Sequence, residues 1–175
     1  MAWVVFLRGV NVGGHKAFRP SVVARELAEW DVVNVGAAGT FLVRKTISLA
    51  MLRAKLSRRL PFAADLMICR AREVSDLGSG DPFPHARSDR ELSRFVSVLA
   101  RRPRALPPLP IRQPAGDNWQ VKVIGVRDRF ALSLHRRVGR TLVYPNEVVE
   151  RHLGVSATTR NWTTVCAICD ILQVG

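Results

Sequence analysis

The sequence predicts an α+β fold in two subdomains. Residues 1–85 read as a ferredoxin-like βαββαβ unit, and residues 86–175 as a smaller α/β unit with antiparallel strands. Two observations carry this. Apolar runs of period two and of period 3.6 follow one another in the first half in the split-βαβ order. The stretch "GSGDPFPH" (78–85) then interrupts every periodicity, as a boundary rich in glycine and proline does.

The first strand is "AWVVFL" (2–7), by its β-branched and aromatic content. Trp3, Val5 and Leu7 point one way and Val4 and Phe6 the other, so both faces are apolar. An RNA-recognition sheet leaves one face open for stacking aromatics. Here both faces read as buried, with the second subdomain as the expected cover. "SVVARELAEW" (21–30) carries Val23, Leu27 and Trp30 at helical spacing, with Ser21 as the expected N-cap after Pro20. "DVVNV" (31–35), the turn "GAAG" and "TFLV" (40–43) form a hairpin. A second helix over 47–60 presents Ile47, Met51, Leu52, Leu56 and Leu60, and stops at Pro61. "ADLMICR" (64–70) is the fourth strand, and "REVSDL" a short helix.

In the second half "RFVSVLA" (94–100), "WQVKVIGV" (119–126) and "RFALSLH" (129–135) read as strands, the last two joined by a tight turn at Arg127-Asp128. Residues 101–118 hold five of the ten prolines and read as an extended surface excursion, neither strand nor helix. A polyproline-type docking segment is the alternative there. "NEVVERHLG" (146–154) is a helix capped by Asn146 and closed by Gly154. The chain ends in a helix from about Trp162.

With 175 residues and 47% apolar content the chain can bury a substantial core. No apolar run approaches the roughly 20 residues that span a bilayer. "MAWVVFLRG" lacks the charged start and the length of a signal peptide. Cys69, Cys166 and Cys169 are too few for a disulfide scaffold. A cytoplasmic location is the expectation, with no membrane partner.

The net charge is +13, and arginine dominates: only Lys16, Lys45, Lys55 and Lys122 are lysines among 27 basic residues. The excess is spread, 12 basic against 7 acidic residues over 1–85 and 15 against 7 over 86–175. Two readings stand: arginine-rich codon usage, and a surface for phosphates or nucleic acid.

Among short motifs, "LRGVNVGG" (7–14) places Arg8 before Gly9, Asn11, Gly13 and Gly14. Such glycines allow close backbone approach and an anion nest. The stretch is neither a P-loop nor a dinucleotide fingerprint, because the following Lys-Ser/Thr and the Gly spacing are missing. "RGVNVGGHKAFR" echoes an acylphosphatase loop through Arg8, Asn11, Phe18 and Arg19, with extra residues before the Phe-Arg pair. In "TTRNW" (158–162), Thr159 or Asn161 can cap the last helix while Trp162 packs and Arg160 bonds to carbonyls. The alternative brings Arg160 and Asn161 beside Arg8 and Asn11 in one polar cleft between the subdomains. "CAIC" (166–169) falls a turn into the helix, where the dipole of a helix N-terminus no longer activates a thiol, so it reads as packing. The four histidines are scattered, with no metal-ligand spacing.

"VVFLRGVNVGGHK" and "LGVSATTRNWTTV" together resemble the paired signatures of the domain-of-unknown-function 1697 family of bacterial proteins, spanning nearly the whole chain. The resemblance implies two α+β subdomains and no particular reaction. That family usually carries a Ser-Gly-Asn turn where Ala38-Gly39-Thr40 stands here.

The functional expectation is a non-catalytic binding protein for an anionic ligand or nucleic acid at an interdomain cleft. Its candidate ligand residues are Arg8, Gly9, Asn11, Gly13, Gly14, Arg160 and Asn161, with no cofactor and no metal. The alternatives are a small hydrolase or transferase for a phosphorylated or acylated substrate, its catalytic residues unassigned, and a protein that dimerises through a sheet edge.

Overall fold

A computed structural model describes residues 2–10, 18–84, 91–138 and 143–174. Those residues form an α+β architecture of two antiparallel sheets and five α-helices. The chain divides into two units, Met1–Gly78 with Cys166–Gly175, and Ser79–Val165. The expected boundary at 85/86 falls in 85–90, outside the described residues.

In the first unit β1 (Trp3–Arg8) is followed by α1 (Pro20–Glu26), β2 (Val32–Asn34), β3 (Thr40–Val43), α2 (Leu49–Arg59), β4 (Asp65–Arg70) and α3 (Ala71–Gly78). The sheet order is β2-β3-β1-β4, with β1 antiparallel to both β3 and β4. Registers Val5↔Phe41 and Val5↔Ile68 align the apolar residues of three strands on one face. That face packs on Val23 and Leu27 and on Leu52 and Leu56, which recur at helical spacing. On the other face Val4, Phe6, Leu42 and Cys69 are also buried. α3 continues from β4 and is tied back to the first strand by Ala71 N donating to Ala2 O.

Local chemistry moves two helix starts. Arg19, not Ser21, is the N-cap of α1, because Pro20 takes the first helical position, where its missing N–H costs nothing. The helix ends at Glu26, and a 3-10 turn over Ala28–Trp30 completes the expected span. α2 starts after Ser48, whose hydroxyl accepts from Met51 N. That cap turns Met51 outward, 51% exposed, while Leu52 and Leu56 carry the buried stripe.

The second unit holds β5 (Ser93–Leu99), β6 (Ile111–Gln113), β7 (Val121–Arg127), β8 (Phe130–His135), α4 (Pro145–Leu153) and β9 (Ala157–Asn161), in the sheet order β6-β7-β8-β5-β9. Leu99, Val121, Val123 and Ala131 pack with Val148, Val149 and Leu153 of α4. Two strands depart from the sequence reading. β6 lies inside the proline-rich excursion, bracketed by Pro110 and Pro114, and pairs with β7 through Arg112↔Lys122. It is an edge strand, the place in a sheet that tolerates proline. β9 covers most of "TTRNW", pairing Val96↔Arg160 with β5. Thr159 and Asn161 are therefore strand residues. α4 begins at Pro145 with Tyr144 as its N-cap, so Asn146 lies inside the helix, which closes at Gly154.

α5 (Trp162–Val174) starts in the second unit, and from Cys166 onward counts with the first. Cys169 Sγ lies 3.7 Å from Val74 O, and a Cβ at Gly78 would meet that sulfur. Close packing on α3 assigns these last turns.

Candidate functional site

β1 delivers Arg8 to the mouth of the Gly-rich loop. Because β1 and β4 run antiparallel with Arg8↔Asp65 in register, the guanidinium Nη1 comes within 3.5 Å of Asp65 Oδ2. Both side chains are open to water, so the pair adds at most about 1 kcal/mol. Its effect is to orient Arg8. Gly9 follows in the left-handed region at φ +66, and Val10 is buried in the core. Asn11, Gly13 and Gly14 lie outside the described residues.

The chain returns at Phe18, whose ring packs edge-on against Phe62 at 5.5 Å between centroids. Both ends of the loop are thus fastened to one short segment, Arg8 to Asp65 and Phe18 to Phe62. An open cleft lies on that segment, lined by Ser57, Leu60, Pro61, Phe62, Ala63 and Ala64. The β2–β3 turn also reaches the end of β1, with Leu7 N donating to Gly39 O at 2.8 Å. The cleft carries a single hydroxyl, that of Ser57, and Arg8 lies outside its lining, paired with Asp65 one residue beyond Ala64. Phe18 and Arg19, compared above with an acylphosphatase pair, act as a core-edge ring and a helix N-cap.

In the second unit Arg160 is buried, 7% exposed. Its Nη1 donates to Thr158 Oγ1 at 2.8 Å and to Thr159 O at 2.9 Å. Burial lowers its pKa to about 10, so it stays protonated at neutral pH. Asn161 is exposed at the end of β9, opposite Phe95. Thr159 Oγ1 sits 2.7 Å from Ser97 Oγ and donates to Asn146 Oδ1 at 3.0 Å. Trp162 packs edge-on against Phe83 at 5.4 Å. Arg8 and Gly9 belong to the first unit, and Arg160 and Asn161 to the second.

A family model for a protein of unknown function, DUF1697, matches residues 1–125. The chain belongs to the DUF1697 family. The match takes in "LRGVNVGG", while "TTRNW" lies beyond its end. No curated protein matches the chain. The conserved bacterial protein SP0830 from Streptococcus pneumoniae is similar in structure, with a TM-score of 0.58 at 15% identity over 98% of each chain. That likeness is one of fold.

Asp65, beside the candidate residue Arg8, is one that sequence reading missed. Its partnership with Arg8 follows from strand register, which puts the last residue of β1 opposite the first of β4. No helix among the described residues is long and apolar enough to cross a membrane.

The "CAIC" thiols behave as packing groups. Burial raises the Cys169 pKa, with Cys166 and Asp170 adding to the shift, so the reactive thiolate is disfavoured. Cys69 and Cys169 are buried and Cys166 is half-buried. A thiol-exchange reagent at neutral pH should therefore titrate one cysteine quickly in the folded protein and all three in denaturant. Two fast thiols in the folded state would contradict this reading.

Proposed function

We propose that this DUF1697 protein is a non-catalytic binding protein for a small anionic ligand. The site lies at the segment 57–65, between the contacts it makes with Arg8 and Phe18. Arg8 supplies the charge and Gly9 a backbone donor, while Asn11, Gly13 and Gly14, outside the described residues, are the further candidates that the sequence offers. The cleft at Ser57–Ala64 takes the apolar part of the ligand. One observation carries this reading: both ends of the loop are anchored on the segment that lines the cleft, by Arg8–Asp65 and Phe18–Phe62. The scaffold is read as ferredoxin-like, which the order β2-β3-β1-β4 supports. The "TTRNW" signature adds Arg160 and Asn161 as separate candidates in the second unit. Of these, only Asn161 presents an exposed side chain, and Arg160 is read as structural.

Phenyl phosphate, an anion with a small apolar body, tests this by calorimetric titration. Binding should weaken roughly 10- to 100-fold in Arg8→Ala, the range for losing a hydrogen bond to a charged group. The fold should survive, because the Arg8–Asp65 pair is exposed. Equal affinity in the variant would remove Arg8 from the site. Release of inorganic phosphate that stops in Arg8→Ala would replace the binding reading with the hydrolase.

A further inference from the structure

Two arginine-rich segments far apart in sequence meet at one end of the second sheet. "RRPR" (101–104) follows β5, and "RDR" (127–129) forms the β7–β8 turn. They are laced together by backbone and side chain alike. Leu99 N donates to Arg129 O at 2.8 Å, and Arg129 returns Nε and Nη2 to Leu99 O at 3.0 and 2.9 Å. Arg102 Nη2 reaches Asp128 Oδ1 at 2.6 Å. Asp128 holds φ +51, which makes the turn tight and keeps its flanking arginines together.

Five arginines and one aspartate therefore share this tip, and Asp128 is the only acid in either segment. Arg101, Arg104 and Arg127 are exposed and make no ion pair among the described residues. Arg129 is committed to a backbone carbonyl, and Arg102 is held against Asp128. Three exposed guanidiniums thus stand on segments braced through Leu99–Arg129 and Arg102–Asp128, and each carries the forked donors that match phosphate oxygens. Residues 100–104 and 127–129 include no aromatic side chain, so the tip offers no stacking platform for unpaired bases. Like-charged arginines crowded at one tip are stabilised by a partner of dense negative charge. Duplex nucleic acid presents one, with a phosphate every ~1.7 Å along its axis.

We propose that this arginine tip docks on the phosphate backbone of duplex nucleic acid without reading its sequence, with Arg101, Arg104 and Arg127 gripping the phosphates. The site is independent of the small-anion site at Arg8, and either can fail without the other.

The test is the salt dependence of binding to two fluorescent DNA duplexes of unrelated sequence, starting at about 50 mM salt. Both duplexes should bind alike, with log affinity falling linearly against log salt. Triple replacement of Arg101, Arg104 and Arg127 by alanine should reduce the magnitude of that slope by about 2 to 3, close to 0.9 for each phosphate no longer neutralised. A control triple, Arg25→Ala, Lys45→Ala and Arg58→Ala, removes the same charge from exposed positions of the first unit. It should leave the slope nearly unchanged. An equal fall in both variants would assign the binding to overall charge and overturn the tip. Undetectable duplex binding at low salt would overturn it as well. So would binding to vesicles of one-third phosphatidylserine that depends on the three arginines while duplex binding does not.

Discussion

Gly39→Ala is expected to lower the free energy of unfolding by roughly 2–4 kcal/mol, combining left-handed strain with overpacking. Gly39 holds φ +68, and a Cβ there would stand 2.8 Å from Leu7 Cδ1 and 3.0 Å from Leu7 Cβ. Leu7 cannot step aside, because it is 1% exposed in the core beneath β1. Its backbone is fixed as well, through the 2.8 Å bond from Leu7 N to Gly39 O. Gly36 provides the internal control. It has φ +71 and open space where its Cβ would stand, so Gly36→Ala should cost only about 1–2 kcal/mol of strain. Urea unfolding of the three proteins gives both values if the slope m is unchanged. Equal losses at the two glycines would show that close approach to Leu7 adds nothing. A Gly39 substitution also displaces the residue just before Arg8, so phenyl phosphate affinity should fall with stability. In Gly36→Ala that affinity should hold.

The parts of this fold that were legible in the sequence bury alternating or helically spaced apolar residues. β1 is the clearest case: Val4, Val5, Phe6 and Leu7 are all at most 1% exposed, as an apolar run on both strand faces requires. The hairpin, α2 and β8 were legible for the same reason. β6 was not, because three residues are too few for an alternation and the prolines around Ile111–Gln113 read as punctuation. β9 was hidden by composition. "ATTRN" looks like capping material, and only its ladder with β5 makes it a strand. The candidate site divides in the same way. Arg8 at a strand end is visible in sequence, whereas Asp65 opposite it needs the register. The arginine tip needs the β7–β8 turn to meet the end of β5, which no local pattern encodes.

Arg160 bonds to a carbonyl, as one of the two sequence readings expects, and its substitutions should separate a structural role from a ligand-binding one. Arg160→Ala should cost roughly 2–4 kcal/mol, because it empties a buried volume and leaves Thr158 Oγ1 and Thr159 O without this donor. Arg160→Met should stay within about 1.5 kcal/mol of the parent, since a buried charge replaced by an apolar side chain of similar length is often neutral. The lowered pKa gives the reason. Burial lowers it to about 10, which means that folding works against the charged form at neutral pH. The sign in alkali follows. An unfolded arginine keeps its proton to a much higher pH than the folded one, which begins to release it near pH 10. The unfolded state then binds more protons, so the contribution of Arg160 to stability rises with pH above about 10. The stability difference between the parent and Arg160→Met, followed from pH 8 to about 11, should shift toward the parent at the alkaline end. A flat difference would mean that the guanidinium is not desolvated in the folded chain. A methionine variant as unstable as the alanine one would mean that its hydrogen bonds, not its stem, hold β9 in place. If Arg160→Met keeps both stability and phenyl phosphate binding, the closing signature is structural, and ligand recognition belongs to Arg8 and the loop behind it.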